Sequence, residues 1–232
     1  IKKSGRYHKC LHKKTKPECP KYLDFVDQFE QILENKIMSL EDFPFTKIIA
    51  IYPRNVLLAD QLREALAETE KLRPVLERNS YRPITFGALL GSTPYDNWFK
   101  PIAPGRRRPS WFWEERGDGQ IIPYLTSPVD GTSDLIWKDA DREAKRTGLY
   151  RIGEPLPDIP DNVLRITRED LIQNPPDVLF LSLEMLNREM GNPAWAKTFG
   201  INQGDRAPRL VLLDEVHTYE GVAGAQAAWV LR

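Results

Sequence analysis

Two adjacent carboxylates, Asp214 and Glu215, follow the apolar run Arg209-Leu210-Val211-Leu212-Leu213 and precede Val216 and His217. A run of that kind suits a central parallel strand, and in an open α/β sheet ligands bind beyond the carboxyl ends of the strands. A carboxylate placed there can hold Mg²⁺, usually through water. Its neighbour can orient and deprotonate a water that attacks a γ-phosphate. This chemistry gives Asp214 to the metal and Glu215 to general-base work, with ATP and Mg²⁺ as cofactors. A strand followed by Asp-Glu also occurs as a plain solvated strand end or helix cap, so the pair takes its meaning from its surroundings.

Those surroundings carry a family likeness. Asp214-Glu215-Val216-His217-Thr218-Tyr219-Glu220-Gly221-Val222-Ala223-Gly224-Ala225-Gln226 resembles motif II of DEAH-like superfamily 2 helicases, in the subgroup reading D-E-[VIL]-H-x-Y-x-G-x-x-G. The resemblance implies that His217 couples the nucleotide site to later motifs; a buried, hydrogen-bonded histidine is the plainer alternative. Gly221 and Gly224 would let the backbone turn closely before a helix. Ile51-Tyr52-Pro53-Arg54-Asn55-Val56-Leu57-Leu58-Ala59-Asp60-Gln61 resembles motif Ia, with Arg54 where Thr is usual. Unpaired helix-start amides and polar side chains at such a point can grip a phosphate of the tracking strand, which makes Arg54 and Asn55 contact candidates. A strand-to-helix turn with an ordinary cap accounts for the same two residues.

Gly91-Ser92-Thr93-Pro94 resembles the Gly-containing turn between motifs Ia and Ib, and Ser182-Leu183-Glu184-Met185-Leu186 resembles the Thr-Asn-x-x-x-Leu segment after the next strand. They add Gly91, Ser92, Thr93 and Ser182 to the nucleic-acid contact candidates. The segments occur in the family order, each at the end of an expected strand. With Asn187-Arg188 and the Tyr-x-Gly-x-x-Gly extension, the chain looks similar to the large helicase subunit of bacterial DISARM antiphage systems, with YprA-like helicases next. The resemblance implies an ATP-dependent helicase or translocase acting on DNA, either single-stranded or duplex with a single-stranded tail. It also implies a second RecA-like domain in the remainder of the same polypeptide and a partner subunit from a defence system.

No Gly-x-x-x-x-Gly-Lys-Ser/Thr occurs in the sequence. Without it a triphosphate lacks its amide cradle and its lysine, so this fragment alone is not expected to hydrolyse ATP. The resemblance places that loop before Ile1. An inactive nucleic-acid or partner-binding module derived from a motor domain is the alternative. A metal-dependent nuclease is a further one, though no Asp/Glu-x-Lys cluster follows a strand to support it.

The elements that must position these residues are legible in outline. Apolar spacing from Tyr22 to Leu40 lines one face of a helix. Lys47 to Tyr52 reads as a buried parallel strand, and Asn55 as the cap of a helix reaching about Glu77. Pro83 to Leu90, Asp177 to Ser182 and Arg209 to Leu213 read as further strands; Leu183 to Met190 and Val222 to Leu231 read as helices. Strand and helix in alternation predict a RecA-like parallel sheet with helices on both faces, incomplete because it lacks the phosphate loop. The division expected is a basic lead-in and helix at 1–46, a partial RecA-like domain at 47–94 and 161–232, and an irregular insertion at 95–160. In the insertion, Trp98, Trp111, Phe112, Trp113 and Trp137 imply that it folds or docks, and Arg106 to Arg108 with these rings would suit stacking on bases. Tyr124 to Trp137 is similar in outline to a Cys-rich ribbon that relatives insert here, but its cysteines are absent.

Composition sets outer limits. The chain has 232 residues, 41% of them hydrophobic, enough for one large domain or one core with a long excursion. Thirty-three basic and thirty-three acidic side chains cancel, so nucleic-acid binding must come from local groups. No stretch approaches a membrane span, and no apolar core follows the basic start as in a signal peptide; the expected compartment is the cytoplasm. Cys10 and Cys19 cannot form a disulfide framework. With His8 and His12 they could be imagined around a zinc, but the spacing lacks the usual Cys-x-x-Cys, and a solvated lysine-rich segment is the simpler reading.

Overall fold

The computed structural model describes residues 45–96, 113–204 and 207–215. Among them the order begins with β1 (Ile48–Tyr52), helix α1 (Asn55–Arg78) and β2 (Phe86–Leu89). Four strands then leave the main sheet: β3 (Glu114–Arg116), β4 (Gly119–Thr126), β5 (Asp134–Lys138) and β6 (Tyr150–Arg151), with the short helix α2 (Asp139–Glu143) between the last two. The chain returns in β7 (Leu164–Arg165), α3 (Arg168–Gln173), β8 (Val178–Ser182) and α4 (Leu183–Glu189). A 3-10 turn at Pro193–Trp195 runs into α5 (Ala196–Phe199), and β9 (Leu210–Leu213) follows.

The main sheet has five strands in the order β7-β2-β8-β1-β9, every neighbouring pair parallel. This is the expected mixed α/β architecture, a parallel sheet flanked by helices, consistent with a RecA-like fragment. Side-chain alternation along each strand sorts the core into two halves. Ala50, Tyr52, Phe86, Ala88 and Phe180 join Leu58, Leu62 and Leu66 of α1 on one face. Ile49, Ile51, Leu89, Leu179 and Leu181 join Leu171 of α3, Met185 and Leu186 of α4, Trp195, and Phe199 of α5 on the other. Leu58, Leu62 and Leu66 recur every fourth residue, so α1 buries one stripe and leaves the rest to water. Gly87 allows α3 to approach closely: a Cβ there would lie 2.3 Å from Leu171 Cδ2 and 2.8 Å from Pro176 Cγ.

The insertion departs from expectation. Its described part, from 113 onward, is an antiparallel sheet in the order β3-β4-β5-β6. The two-residue period that would announce β4 is hidden, because that strand is buried on both faces except at Pro123 and, in part, Thr126, and shifts register between Ile121 and Thr126. Trp113 and Trp137 are wholly enclosed, their rings 6.1 Å apart at 63°, and share a core with α1. Arg63 of α1 reaches across to Thr126 Oγ1 (3.4 Å) and the Gly131 carbonyl (3.3 Å). These tryptophans therefore make the insertion's own core and seat it on the helix.

Smaller corrections have local causes. Arg54, not Asn55, is the N-cap of α1, with extended backbone and no side-chain cap bond; Asn55 is the first helical residue. β7, α3 and α5 carry too few residues to display a period and were not expected. Among the described residues no helix is long and apolar enough to cross a membrane. The expected helices at Tyr22–Leu40 and Val222–Leu231, His217, Trp98, Trp111, Phe112, Arg106 to Arg108 and the His8, Cys10, His12, Cys19 group lie outside the described residues.

Candidate nucleotide and nucleic-acid site

Parallel strands in register bring their carboxyl ends to one edge. Leu89, Leu181, Ile51 and Leu213 form one row across β2, β8, β1 and β9. The next row is therefore Leu90, Ser182, Tyr52 and Asp214, and the Asp214 amide continues the ladder by donating to the Ile51 carbonyl at 3.0 Å. At about 4.8 Å per strand, Asp214 and Leu90 stand roughly 14 Å apart along this edge. Arg54 and Asn55 follow two and three residues after Tyr52, and Gly91 to Thr93 follow Leu90. Every candidate in the described residues thus lies on the edge where α/β sheets bind ligands.

Asp214 and Glu215 are both half-buried. Glu215 has φ of 51°, in the left-handed region, so the chain turns away from the sheet immediately after Asp214. Tyr52 lies beside Asp214 in the row, and its ring stacks on Phe180 with centroids 5.9 Å apart. Burial, followed by the Asp214 and Glu64 carboxylates, pushes the Tyr52 hydroxyl above its usual pKa. It stays neutral at the acid pair and can donate a hydrogen bond there. Among the described residues no group of three or more His, Cys, Asp or Glu could hold a metal by itself. Mg²⁺ does not need one, since it keeps several waters and takes one or two carboxylates plus substrate phosphates. Asp214 fits that donor set; the phosphate cradle is not among this chain's motifs.

The start of α1 is exposed at Arg54 and Asn55, with no acidic residue in its first turn. Its leading amides have neither a side-chain acceptor nor a competing anion, which favours a phosphate. Ser182 is buried, and its oxygen caps α4 by accepting from the Met185 amide at 3.3 Å. Thr93 is buried too: its hydroxyl accepts from the Leu90 amide and donates to the Ala88 carbonyl, both at 2.9 Å. Gly91 and Ser92 are the outward members of that turn.

Sequence reasoning missed Tyr52 and Arg168 at this edge, and it read Trp113 only as a ring for the insertion's core or for stacking on bases. Tyr52 carried a signal, as the last strand residue before Pro53. Arg168 carried none, and nothing tied Trp113 to this turn, because their partners are 75 and 21 residues away.

No family model and no solved structure matches the chain. It is similar to the Druantia protein DruE of Escherichia coli (strain UMEA 4076-1), with 28% identity over 82% of this chain, and it spans 12% of the length of that relative.

Proposed function

We propose that this chain is part of the first motor domain of an ATP-dependent helicase or translocase that acts on DNA in bacterial defence against phage. The observation that carries the reading is the common edge: Asp214 and Glu215 stand at one end of a row whose other members lead into Arg54, Asn55 and the Gly91–Thr93 turn. A motor needs that juxtaposition, a hydrolytic site and a phosphate grip on one rigid sheet, so that nucleotide state and strand position can be coupled. The likeness to a Druantia protein supports the defence role. The narrower likeness to DISARM helicase subunits rests on the residue pattern alone.

In this reading Asp214 would hold Mg²⁺ through water, the ion would neutralise phosphate charge, and Glu215 would accept a proton from the attacking water. Tyr52 keeps a neutral donor beside the acids. The lysine and amide cradle come from the rest of the longer protein, as does the second RecA-like domain.

The test uses the full-length protein. ATP hydrolysis should rise when single-stranded DNA is added. Glu215→Gln should lower turnover by about a hundredfold or more, the range expected when a general base is removed, while nucleotide still binds. The same variant should lose protection in a phage plating assay. Unimpaired hydrolysis in Glu215→Gln would remove that residue from the mechanism. A full-length protein that binds DNA without any ATPase activity would favour the second reading, an inactive binding module, which the missing phosphate loop in this sequence keeps open.

A further inference from the structure

We infer that Arg168 and Trp113 are positioning residues for the Gly91–Pro94 turn, holding the carbonyls of Leu90, Ser92 and Thr93 inward so that the Gly91 and Ser92 amides remain to bind a phosphate of a nucleic-acid strand. The inference rests on the proposed function, which makes this turn a strand contact.

The carbonyls of Leu90, Ser92, Thr93 and Pro94 are each occupied from within. The Arg168 guanidinium gives its Nε to the Thr93 carbonyl (3.0 Å) and one terminal nitrogen to the Leu90 carbonyl (3.3 Å); the other terminal nitrogen pairs with Glu189 Oε1 (3.0 Å). The backbone amides of Arg168 and Glu169 take the Pro94 and Tyr95 carbonyls, each at 2.8 Å. Trp113, from the insertion, donates its indole Nε1 to the Ser92 carbonyl at 2.9 Å. The Thr93 hydroxyl and amide close the remaining gap onto Leu90 and Ala88. Among the described residues, the Gly91 and Ser92 amides donate to no acceptor.

The Leu90 carbonyl shares its peptide unit with the Gly91 N–H, so holding that oxygen inward turns the Gly91 amide outward. Trp113 and the Thr93 amide anchor the unit after Ser92, which sets the Ser92 amide between two fixed units, and successive outward amides make a concavity for an anion. Arg168 is suited to set this shape, because its planar fork addresses three acceptors at fixed angles. Its side chain is 16% exposed and Glu189 is 10% exposed, so it is committed to the interior and does not itself reach for the strand. Burial and the neighbouring Arg188 pull its pKa down, Glu189 opposes them, and the guanidinium stays charged. Trp113 links the same turn to the insertion's core, so the small antiparallel sheet braces the grip from the other side.

Two variants of the full-length protein test this, Arg168→Lys and Trp113→Phe, with single-stranded oligodeoxythymidine as the probe. Lysine keeps the charge but cannot address three acceptors, and phenylalanine keeps most of the ring but loses the donor. Each should weaken binding about tenfold at fixed salt, the scale of one or two misplaced hydrogen bonds. The slope of log affinity against log salt should not change, because neither residue neutralises a phosphate. Thermal unfolding read alongside confirms that each variant is folded at the binding temperature. If Arg168 met the phosphate directly, lysine would substitute and affinity would hold; if either residue only stabilised the fold, unfolding would shift without a change in affinity. Unchanged affinity in either variant overturns the inference for that residue. No binding by the unaltered protein would instead overturn the reading of the turn as a strand contact.

Discussion

Asp177 stands at the amino ends of the strands, opposite the candidate site, and ties three of them together. Its carboxylate takes both terminal nitrogens of Arg82, at 2.6 and 2.7 Å, the Thr85 amide at 2.9 Å and the Thr85 hydroxyl at 3.0 Å, and it also pairs with Lys47. Its own backbone carbonyl receives the Lys47 and Ile48 amides. Burial alone would raise its pKa, but the Arg82 and Lys47 hydrogen bonds and the Thr85 amide outweigh it and hold the carboxyl well below the usual range. A depressed folded-state pKa contributes stability that is fully present above the unfolded value, about 4, and is lost as pH falls through the folded one. Asp177→Asn should therefore cost about 2 to 4 kcal/mol in urea unfolding near neutral pH, with the deficit shrinking in acid. A deficit independent of pH would mean that packing, not charge, sets the effect. Such hubs are illegible in a sequence, where Asp177 is merely the residue before an apolar run. Asp214 and Glu215 could be singled out as candidates because they are adjacent in the sequence, whereas Arg168 and Trp113 meet partners that only folding brings near.

The main-sheet strands could be read because each is a short apolar run ended by a turn signal, and α1 because Leu58, Leu62 and Leu66 repeat at a helical spacing. The insertion could not, since burial on both faces of β4 erases alternation and the tryptophans say only that something is enclosed. Its tightest point is Gly119, where β4 begins against β5. A Cβ there would stand 2.3 Å from the Trp137 carbonyl oxygen and 2.9 Å from the Lys138 Cα, both backbone atoms that cannot swing aside. Gly119→Ala should push β4 away from β5 and destabilise the small sheet by about 1 to 3 kcal/mol, the usual cost of overpacking. Tryptophan emission should report it, because Trp113 and Trp137 meet in that core. Since Trp113 also braces the Gly91–Pro94 turn, the variant should weaken DNA binding in parallel. Loss of the tryptophan signal with unchanged DNA affinity would show that the insertion folds beside the grip without supporting it.

At the scale of the molecule, the least finished feature is β9. Its sequence suggested a strand inside the sheet, but among the described residues it is the edge strand, paired only with β1. Leu210, Val211 and Leu212 are 46%, 41% and 46% exposed, whereas Ile49 to Tyr52 of the neighbouring β1 are buried. Residues that alternate between the two faces are thus uncovered on both, and among the described residues the outer row of backbone donors and acceptors meets no further strand. Natural edge strands are shielded by charge, proline or bulges, and β9 has none of these between Leu210 and Leu213. The 232-residue chain expressed by itself should associate through this edge, and sedimentation should show a mean mass that rises with concentration. Val211→Lys places a charge at the strand's middle and should return the chain to a monomer. In the full-length protein, where the matched relative is several times longer than this chain, further residues covering β9 would make the same lysine a buried charge and lower the unfolding midpoint. Opposite effects in the two settings would identify β9 as an interior strand of the longer protein's sheet. A lysine harmless in both would make it an ordinary solvated edge, leaving the acids at its end without the enclosed site that phosphate hydrolysis requires.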